Sequence, residues 1–314
     1  MVFKLPLDQV DELRKTKYNA TVVELKKAHS DLMILRVKPD KPIRPHRAGQ
    51  YTLLGLGYWE PRFPGCQEEN LPDEEVSKLA RRAYSISSSI LEPDGSYLNP
   101  GEKDWIEFYI VLVRETGRPV APALTPRLFN LEIGSRLFMG EKITGHYNLS
   151  HVKPDDDVVF FSTGTGEAPH NYMALELLRN NHQGKIISAC CVRYGKDLGY
   201  RNVHDVLMKK TPNYNYIQLT TREGDVAQKR YLQDLVRSGG IDSILGYKLD
   251  PEKTHVYLCG NPAMIGAPFK HPETGVRTYP KPEGIIEILE SRGFSADQGH
   301  GHAPGNVHFE EYWS

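Results

Sequence analysis

The chain has 314 residues, more than one hydrophobic core usually serves, so two domains are expected. Hydrophobic residues make up 39% and charged residues 25%, and the formal net charge is −1, which suits an ordinary globular protein and argues against wholesale nucleic-acid binding. The amino-terminal stretch MVFKLPLDQVDELRK has no long apolar run, so neither a signal peptide nor a membrane-spanning helix is read there. The expectation is a cytoplasmic monomer with no membrane or nucleic-acid partner. Cys66, Cys190, Cys191 and Cys259 form no C-x-x-C pair and no zinc-ligand spacing, and they are too scattered to hold an iron–sulfur cluster, so no metal is expected. Sparse, unpatterned cysteine fits a reducing compartment.

Taken in chain order, residues 15 to about 150 hold short β-type runs broken by Gly and Pro: Ala20 to Leu25, Leu32 to Val37, Gln50 to Leu56, Tyr84 to Ser88 and Ile106 to Val113. Short strands at close spacing point to an antiparallel barrel or sandwich. Residues 57–80, rich in Pro and acid, interrupt that rhythm and read as an exposed insertion. From residue 155 apolar runs alternate with helical patterns. Val158 to Phe161, Ile186 to Val192, Ile217 to Thr221, Val256 to Cys259 and Val307 to Phe309 read as strands. Between them, helices are marked by Met173, Ala174, Leu177 and Leu178; by Val203, Val206 and Leu207; by Tyr231, Leu232, Leu235 and Val236; and by Ile285, Ile286 and Leu289. That alternation means a doubly wound α/β domain with a parallel sheet and a ligand at the carboxyl ends of its strands. Gly299-His300-Gly301-His302 reads as a solvated loop rather than a metal site.

Three motifs carry chemistry. Thr163-Gly164-Thr165-Gly166-Glu167-Ala168-Pro169 joins a buried strand to a helix, where glycines admit a close backbone approach and the helix N-terminus suits a pyrophosphate; a tight structural turn is the alternative. Arg82-Ala83-Tyr84-Ser85 combines a cation for phosphate, a flat stacking face and a hydroxyl, with Arg82 and Tyr84 on one side of a strand; a surface Arg with a core Tyr is the alternative. Cys259-Gly260-Asn261-Pro262 follows the fourth strand of the second half, and Cys259 by itself reads equally well as a small buried hydrophobe.

In this order and on these two architectures, the motifs resemble the ferredoxin–NADP⁺ reductase family, and within it the bacterial ferredoxin/flavodoxin reductases. The resemblance runs from about residue 18 to about residue 313, apart from the insertion. It implies an N-terminal antiparallel β-barrel over 1–150 that holds FAD, and a doubly wound α/β domain over 151–314 that holds NADP(H) and ends in an aromatic tail. By similarity, Arg82 would hold the FAD phosphates, Tyr84 would stack on the isoalloxazine, Ser85 would hydrogen-bond near its N5 edge, and Ala83 between them would belong to the cofactor-binding set. Tyr109, Ile110 and Val111, with Leu124 and Thr125, resemble further FAD contacts. Thr163, Gly164, Thr165 and Gly166 would face the NADP pyrophosphate and nicotinamide, and Cys259 and Gly260 would border the nicotinamide ring. Arg193, Thr221-Arg222 and Arg230 resemble the clamp on the 2′-phosphate, where a dianion calls for guanidinium forks. Tyr312 would cover the flavin and Trp313 would stack on the adenine. Ser85, Cys259 and Tyr312 would thus border the reacting rings.

The implied activity is electron transfer between NADP(H) and ferredoxin or flavodoxin, with hydride passing between nicotinamide C4 and flavin N5 held at about 3–3.5 Å. A reductase component that supplies an oxygenase, or a non-catalytic flavin-binding subunit, are the competing readings. Three departures stand out. Glu167 occupies a position that is usually apolar, Ser314 extends past the usual terminal Trp, and the insertion at 57–80 would shape the partner surface or the rim near FAD.

Overall fold

The computed structural model of the chain describes residues 5–224, 229–271, 273–298 and 304–312. They form two compact units, one made of the chain up to Ser88 with Leu98–His146, the other of Ser89–Tyr97 and the chain from Tyr147 onward. The first unit opens with a helix absent from the sequence reading, α1 (Leu7–Lys17). Pro6 precedes it, Asp8 lies in its first turn, and Arg14, Lys15 and Lys17 lie in its last, so its charges complement the helix dipole. Val10 is its buried residue, which leaves no apolar stripe to announce it.

The strands β1 (Ala20–His29), β2 (Leu32–Pro39), β3 (Tyr51–Gly57), β4 (Leu79–Ser85), β5 (Ile106–Val111) and β6 (Arg136–Met139) follow, with α2 (Asp73–Val76) before β4 and α3 (Thr125–Leu128) before β6. They form an antiparallel sheet in the order β4-β3-β6-β1-β2-β5. Just past β4, the Ser87 N–H donates to the Glu107 carbonyl of β5 at 2.8 Å, so the two edges meet and the sheet curls into a barrel. Val22, Leu35, Val37, Leu54, Leu56, Phe108 and Leu137 fill it, all fully buried, each stabilising the fold by about 1.5–3 kcal/mol.

The stretch 57–80 is not the exposed insertion that its composition suggested. Trp59 is buried, and the Glu60 carboxylate accepts from Arg14 Nη2 at 2.6 Å, Tyr18 Oη at 2.9 Å and Trp59 Nε1 at 3.1 Å. Further on, Glu69 accepts from Arg127 Nη2 at 2.6 Å and Arg62 Nη1 at 3.0 Å, and the Arg127 side chain is fully buried. Glu69 thus neutralises a fully buried cation and Glu60 anchors α1 through Arg14, so polar composition here marks anchoring rather than solvation. The strand read from Tyr84 starts five residues earlier, at Leu79, which places Arg82 and Ala83 inside it.

The second unit runs β7 (Asp157–Thr163), α4 (Glu167–Arg179), β8 (Ile186–Val192), α5 (Arg201–Lys210), β9 (Tyr214–Thr220), α6 (Leu232–Arg237), α7 (Gly240–Leu245), β10 (Thr254–Gly260), α8 (Pro262–Ile265), the hairpin β11 (Phe269–Lys270) with β12 (Arg277–Thr278), α9 (Ile285–Glu290) and β13 (Val307–Glu311). The segment read as one helix around Tyr231 to Val236 is followed by a second, α7, and Gly239 with φ 73° turns the chain between them. The five strands make a parallel sheet in the order β13-β10-β7-β8-β9. Val159, Phe161, Ile187, Ala189, Val256 and Leu258 of β7, β8 and β10 pack against the helices in one core. From β7 the chain moves one way to β8 and β9, then returns to the other side for β10 and β13. The order therefore reverses between β7 and β10, the point at whose carboxyl ends open α/β sheets bind their ligands. Among the described residues no helix is long and apolar enough to cross a membrane. The Gly299–His302 motif and Trp313 lie outside the described residues.

Candidate functional site

In the α/β unit, the carboxyl ends of β7 and β10 touch backbone to backbone. A Cβ on Gly166 would lie 2.2 Å from the Cys259 carbonyl oxygen, and one on Gly260, whose φ is 121°, would lie 2.3 Å from Thr163 Oγ1. Both positions therefore require glycine. Thr163 Oγ1 accepts the Asn261 N–H at 2.7 Å, and the Asn261 side chain accepts the Ala263 N–H at 2.8 Å to cap α8. Gly164–Gly166 form a single 3₁₀ turn that leads directly into α4, with Thr163, Gly164 and Thr165 half-buried. Cys259 is fully buried and lies in reach of the Tyr312 side chain; burial, then the charge of Glu310, pushes its thiol well up, so the sulfur stays protonated. The Tyr312 N–H donates to the Gly260 carbonyl at 2.8 Å, which continues the β13–β10 pairing. Thr163 to Gly166, Cys259, Gly260 and Tyr312 are thus gathered at one edge.

Arg193 and Arg222 stand just past the carboxyl ends of β8 and β9. The Arg222 N–H donates to the Arg193 carbonyl at 2.9 Å, and the Thr221 N–H donates to the Val192 carbonyl at 3.0 Å, so the chain beyond β8 and β9 stays in register. Arg193, Arg222 and Arg230 are exposed, and none has an ion-pair or side-chain hydrogen-bond partner among the described residues. Glu223, the nearest acid in sequence, accepts the Gly195 N–H at 2.9 Å. Among the described residues no carboxylate pairs with these guanidinium groups, an arrangement suited to a phosphate dianion.

Beneath the turn lies a buried polar cluster that the sequence reading did not contain. Glu167, the departure noted at the start of α4, is fully buried. Its Oε1 accepts from Tyr216 Oη at 2.6 Å and lies 3.2 Å from His204 Nε2. The His204 ring stacks on Tyr216 with centroids 3.9 Å apart, and its Nδ1 lies 2.8 Å from Tyr214 Oη. Alternate residues on β9 pointing the same way as a helical His is a signal visible only once α5 and β9 are known to be neighbours.

In the barrel unit, β4 breaks the usual in–out alternation, with Arg81, Arg82 and Ala83 all exposed. Arg82 pairs across to Leu54 and Tyr84 to Thr52, so the two do share a face. Arg82 has no ion-pair or hydrogen-bond partner among the described residues, and Tyr84 is half-buried, edge-on to Phe108 with ring centroids 6.5 Å apart. Ser85 is buried at the end of the strand. Of the remaining candidates, Tyr109, Ile110 and Leu124 are buried, Val111 is exposed, and the Thr125 hydroxyl accepts the Val113 N–H at 3.1 Å. The barrel therefore gathers Arg82, Ala83 and Tyr84 on an open strand, while Tyr109, Ile110 and Leu124 sit within the protein.

Residues 160–268 match the family model of the oxidoreductase NAD-binding domain. Over 255 residues, 80% of this chain and 87% of the relative, the sequence is 27% identical to the flavodoxin/ferredoxin–NADP reductase of Buchnera aphidicola subsp. Baizongia pistaciae. Over 229 residues, 71% of this chain and 77% of the relative, it is 28% identical to the flavodoxin/ferredoxin–NADP reductase of Escherichia coli. The chain resembles the ferredoxin–NADP⁺ reductase family. The fold agrees: the ferredoxin NADP⁺ reductase of Neisseria gonorrhoeae, solved with bound FAD and NADP, matches 94% of this chain and 99% of its own with a TM-score of 0.67 at 17% identity.

Proposed function

We propose that the chain is an FAD-dependent oxidoreductase that exchanges electrons between NADP(H) and a one-electron carrier protein of the ferredoxin or flavodoxin type. The observation that carries this reading is the placement of Arg193 and Arg222 just past the carboxyl ends of β8 and β9, exposed and, like Arg230, without an ion-pair or side-chain hydrogen-bond partner among the described residues. Guanidinium groups so placed suit a nucleotide bearing a 2′-phosphate better than one with a bare ribose. The relatives named above are NADP reductases, which supports the same nucleotide.

FAD fits the barrel. Arg82 offers an unpaired cation on an exposed strand, Tyr84 on the same face offers a flat ring, and burial pushes its phenol up so that it stays neutral. On this reading Arg82 holds the phosphates, Tyr84 supports the ring system, and Ser85 lies at its polar edge. FAD, when bound, supplies the chemistry that the side chains lack, accepting a hydride from the nicotinamide and releasing electrons singly. The chain's own part is to orient and to exclude water. Thr163–Gly166 present backbone groups and the start of α4 to the diphosphate, and Cys259 offers a small neutral wall with no proton to lose near neutral pH. Tyr312 stands beside that wall at the sheet edge.

The test is direct. Protein purified without added cofactor is expected to be yellow and to release FAD on denaturation, to be reduced by NADPH in preference to NADH, and to pass electrons to ferredoxin or flavodoxin. Arg82→Ala should loosen the flavin by about 1.5–3 kcal/mol, the worth of one charge-assisted contact to phosphate. Extraction of FMN, or of no flavin, or equal use of the two nucleotides, rejects the assignment.

A further inference from the structure

The turn that leads into α4 is held from three sides. Against β10, Gly166 packs directly on the Cys259 carbonyl and the Gly260 nitrogen. From β8, the Cys190 thiol lies 3.9 Å from the Gly164 carbonyl. On the third side is Glu167, whose own N–H bonds back to the Gly164 and Thr165 carbonyls while its side chain reaches away to β9 and α5.

Burial, reinforced by the charge of Glu167, pushes the Tyr216 phenol upward and the Cys190 thiol with it, so both keep their protons. Tyr216 donates in the 2.6 Å bond, and Glu167 Oε1 accepts. His204 is clamped in turn by its stack on Tyr216 and its contact with Tyr214. Yet Glu167 Oε2 is buried with no hydrogen-bond partner among the described residues, and so is His204 Nε2, which approaches Oε1 without hydrogen-bonding to it. A buried carboxylate with one oxygen unsatisfied destabilises a fold, and an apolar residue of similar volume is usually neutral or better. The core beneath α4 does not need an acid there, whereas the turn gains a rigid tie to β9.

We propose that Glu167 is a positioning residue: through Tyr216 and His204 its carboxylate fixes the Thr163–Gly166 turn in the shape that receives the diphosphate of the nucleotide, at the expense of stability. This rests on the nucleotide site proposed above. Because the diphosphate is common to both nucleotides, the effect of removing the tie must be the same for each, unlike the effect of the arginines.

Glu167→Leu, Glu167→Gln and Tyr216→Phe in the full-length protein test this, with the dissociation constants of NADP⁺ and NAD⁺ and the melting temperature measured for each. Glu167→Leu is expected to weaken both nucleotides by the same factor, about tenfold, the consequence of losing one charge-assisted hydrogen bond. Its melting temperature should be unchanged or higher. Glu167→Gln, whose amide oxygen still accepts from Tyr216, should recover most of the affinity, and Tyr216→Phe should fall between. KM for both nucleotides should rise more than kcat falls. Wild-type affinity in Glu167→Leu overturns the proposal whatever its melting temperature, and so does weakening confined to NADP⁺. If Glu167→Leu does not fold, Tyr216→Phe decides by the same criteria. A wild-type protein that binds neither nucleotide would sink the underlying site as well, whereas a binding wild type with indifferent variants sinks this inference alone.

Discussion

At the scale of single residues, the site depends on groups left without partners and on positions where a side chain has no room. Arg222 belongs to the first kind. It is exposed and in register with Arg193, and no acid answers it among the described residues. Arg222→Ala should raise the KM for NADPH roughly tenfold or more, from the loss of about 1.5–3 kcal/mol, and should leave NADH turnover almost unchanged. An equal loss with both nucleotides would move Arg222 to the shared diphosphate. Gly260 belongs to the second kind. With φ at 121° and a Cβ position 2.3 Å from Thr163 Oγ1, Gly260→Ala strains the backbone and pushes β10 away from β7. The conformation alone costs about 1–3 kcal/mol, so a lower denaturation midpoint with weakened nucleotide binding is expected. Unchanged values of both would mean that the two strand ends are not packed as described.

At the scale of elements, the segment between β3 and β4 shows how polar sequence can be structural. Glu69 lies against Arg127, whose side chain is fully buried, and Arg127 also donates to the Tyr58 carbonyl at 2.8 Å. Glu69→Ala leaves that cation buried and unpaired, which should destabilise the barrel by about 3–5 kcal/mol. Denaturant unfolding measures it, and the double variant Glu69→Ala with Arg127→Met should regain much of the loss. If the double variant is no more stable than the single one, the pair is not what holds the segment. Nothing in the spacing of WEPRFPGCQEENLPDEE distinguishes a carboxylate that pairs inside from one that faces water, because the partner Arg127 is 58 residues away in the chain. For β4 the difficulty was different. The strand's first residues alternate poorly because an exposed run, Arg81 to Ala83, occupies both faces, so periodicity located the motif but not the element's start.

At the scale of the whole molecule, buried histidines tie stability to pH. His170 lies in α4, its ring tilted against Phe160 with centroids 4.9 Å apart, and burial pushes its pKa down to about 3. Tyr147 Oη lies 2.7 Å from its Nε2 and stays protonated, since burial raises the phenol, so His170 is held as a neutral acceptor. His255 is lowered to about 4 by burial and by His308. Because both folded values lie below the ordinary 6.5, the unfolded chain takes up the protons first. The stabilisation is complete above about pH 6.5 and declines as the pH falls from there toward about 3–4. His170→Phe should flatten the fall in melting temperature between those limits, and an unaltered slope would show that His170 is not buried neutral. Strand and helix periodicities and glycine-marked turns are local signals, so the sequence alone determined a β-rich half followed by an α/β half with a glycine turn after its first strand. The closed barrel and the assignment of residues to phosphate and ring came from the family resemblance. Only the tertiary structure decided which strand ends meet at the sheet's reversal, which arginines stay unpaired, and that Glu167 turns inward to Tyr216 and His204. Those are matters of which distant segments become neighbours, and the burial and pairing that follow from contact are not encoded in the spacing of residues along the chain.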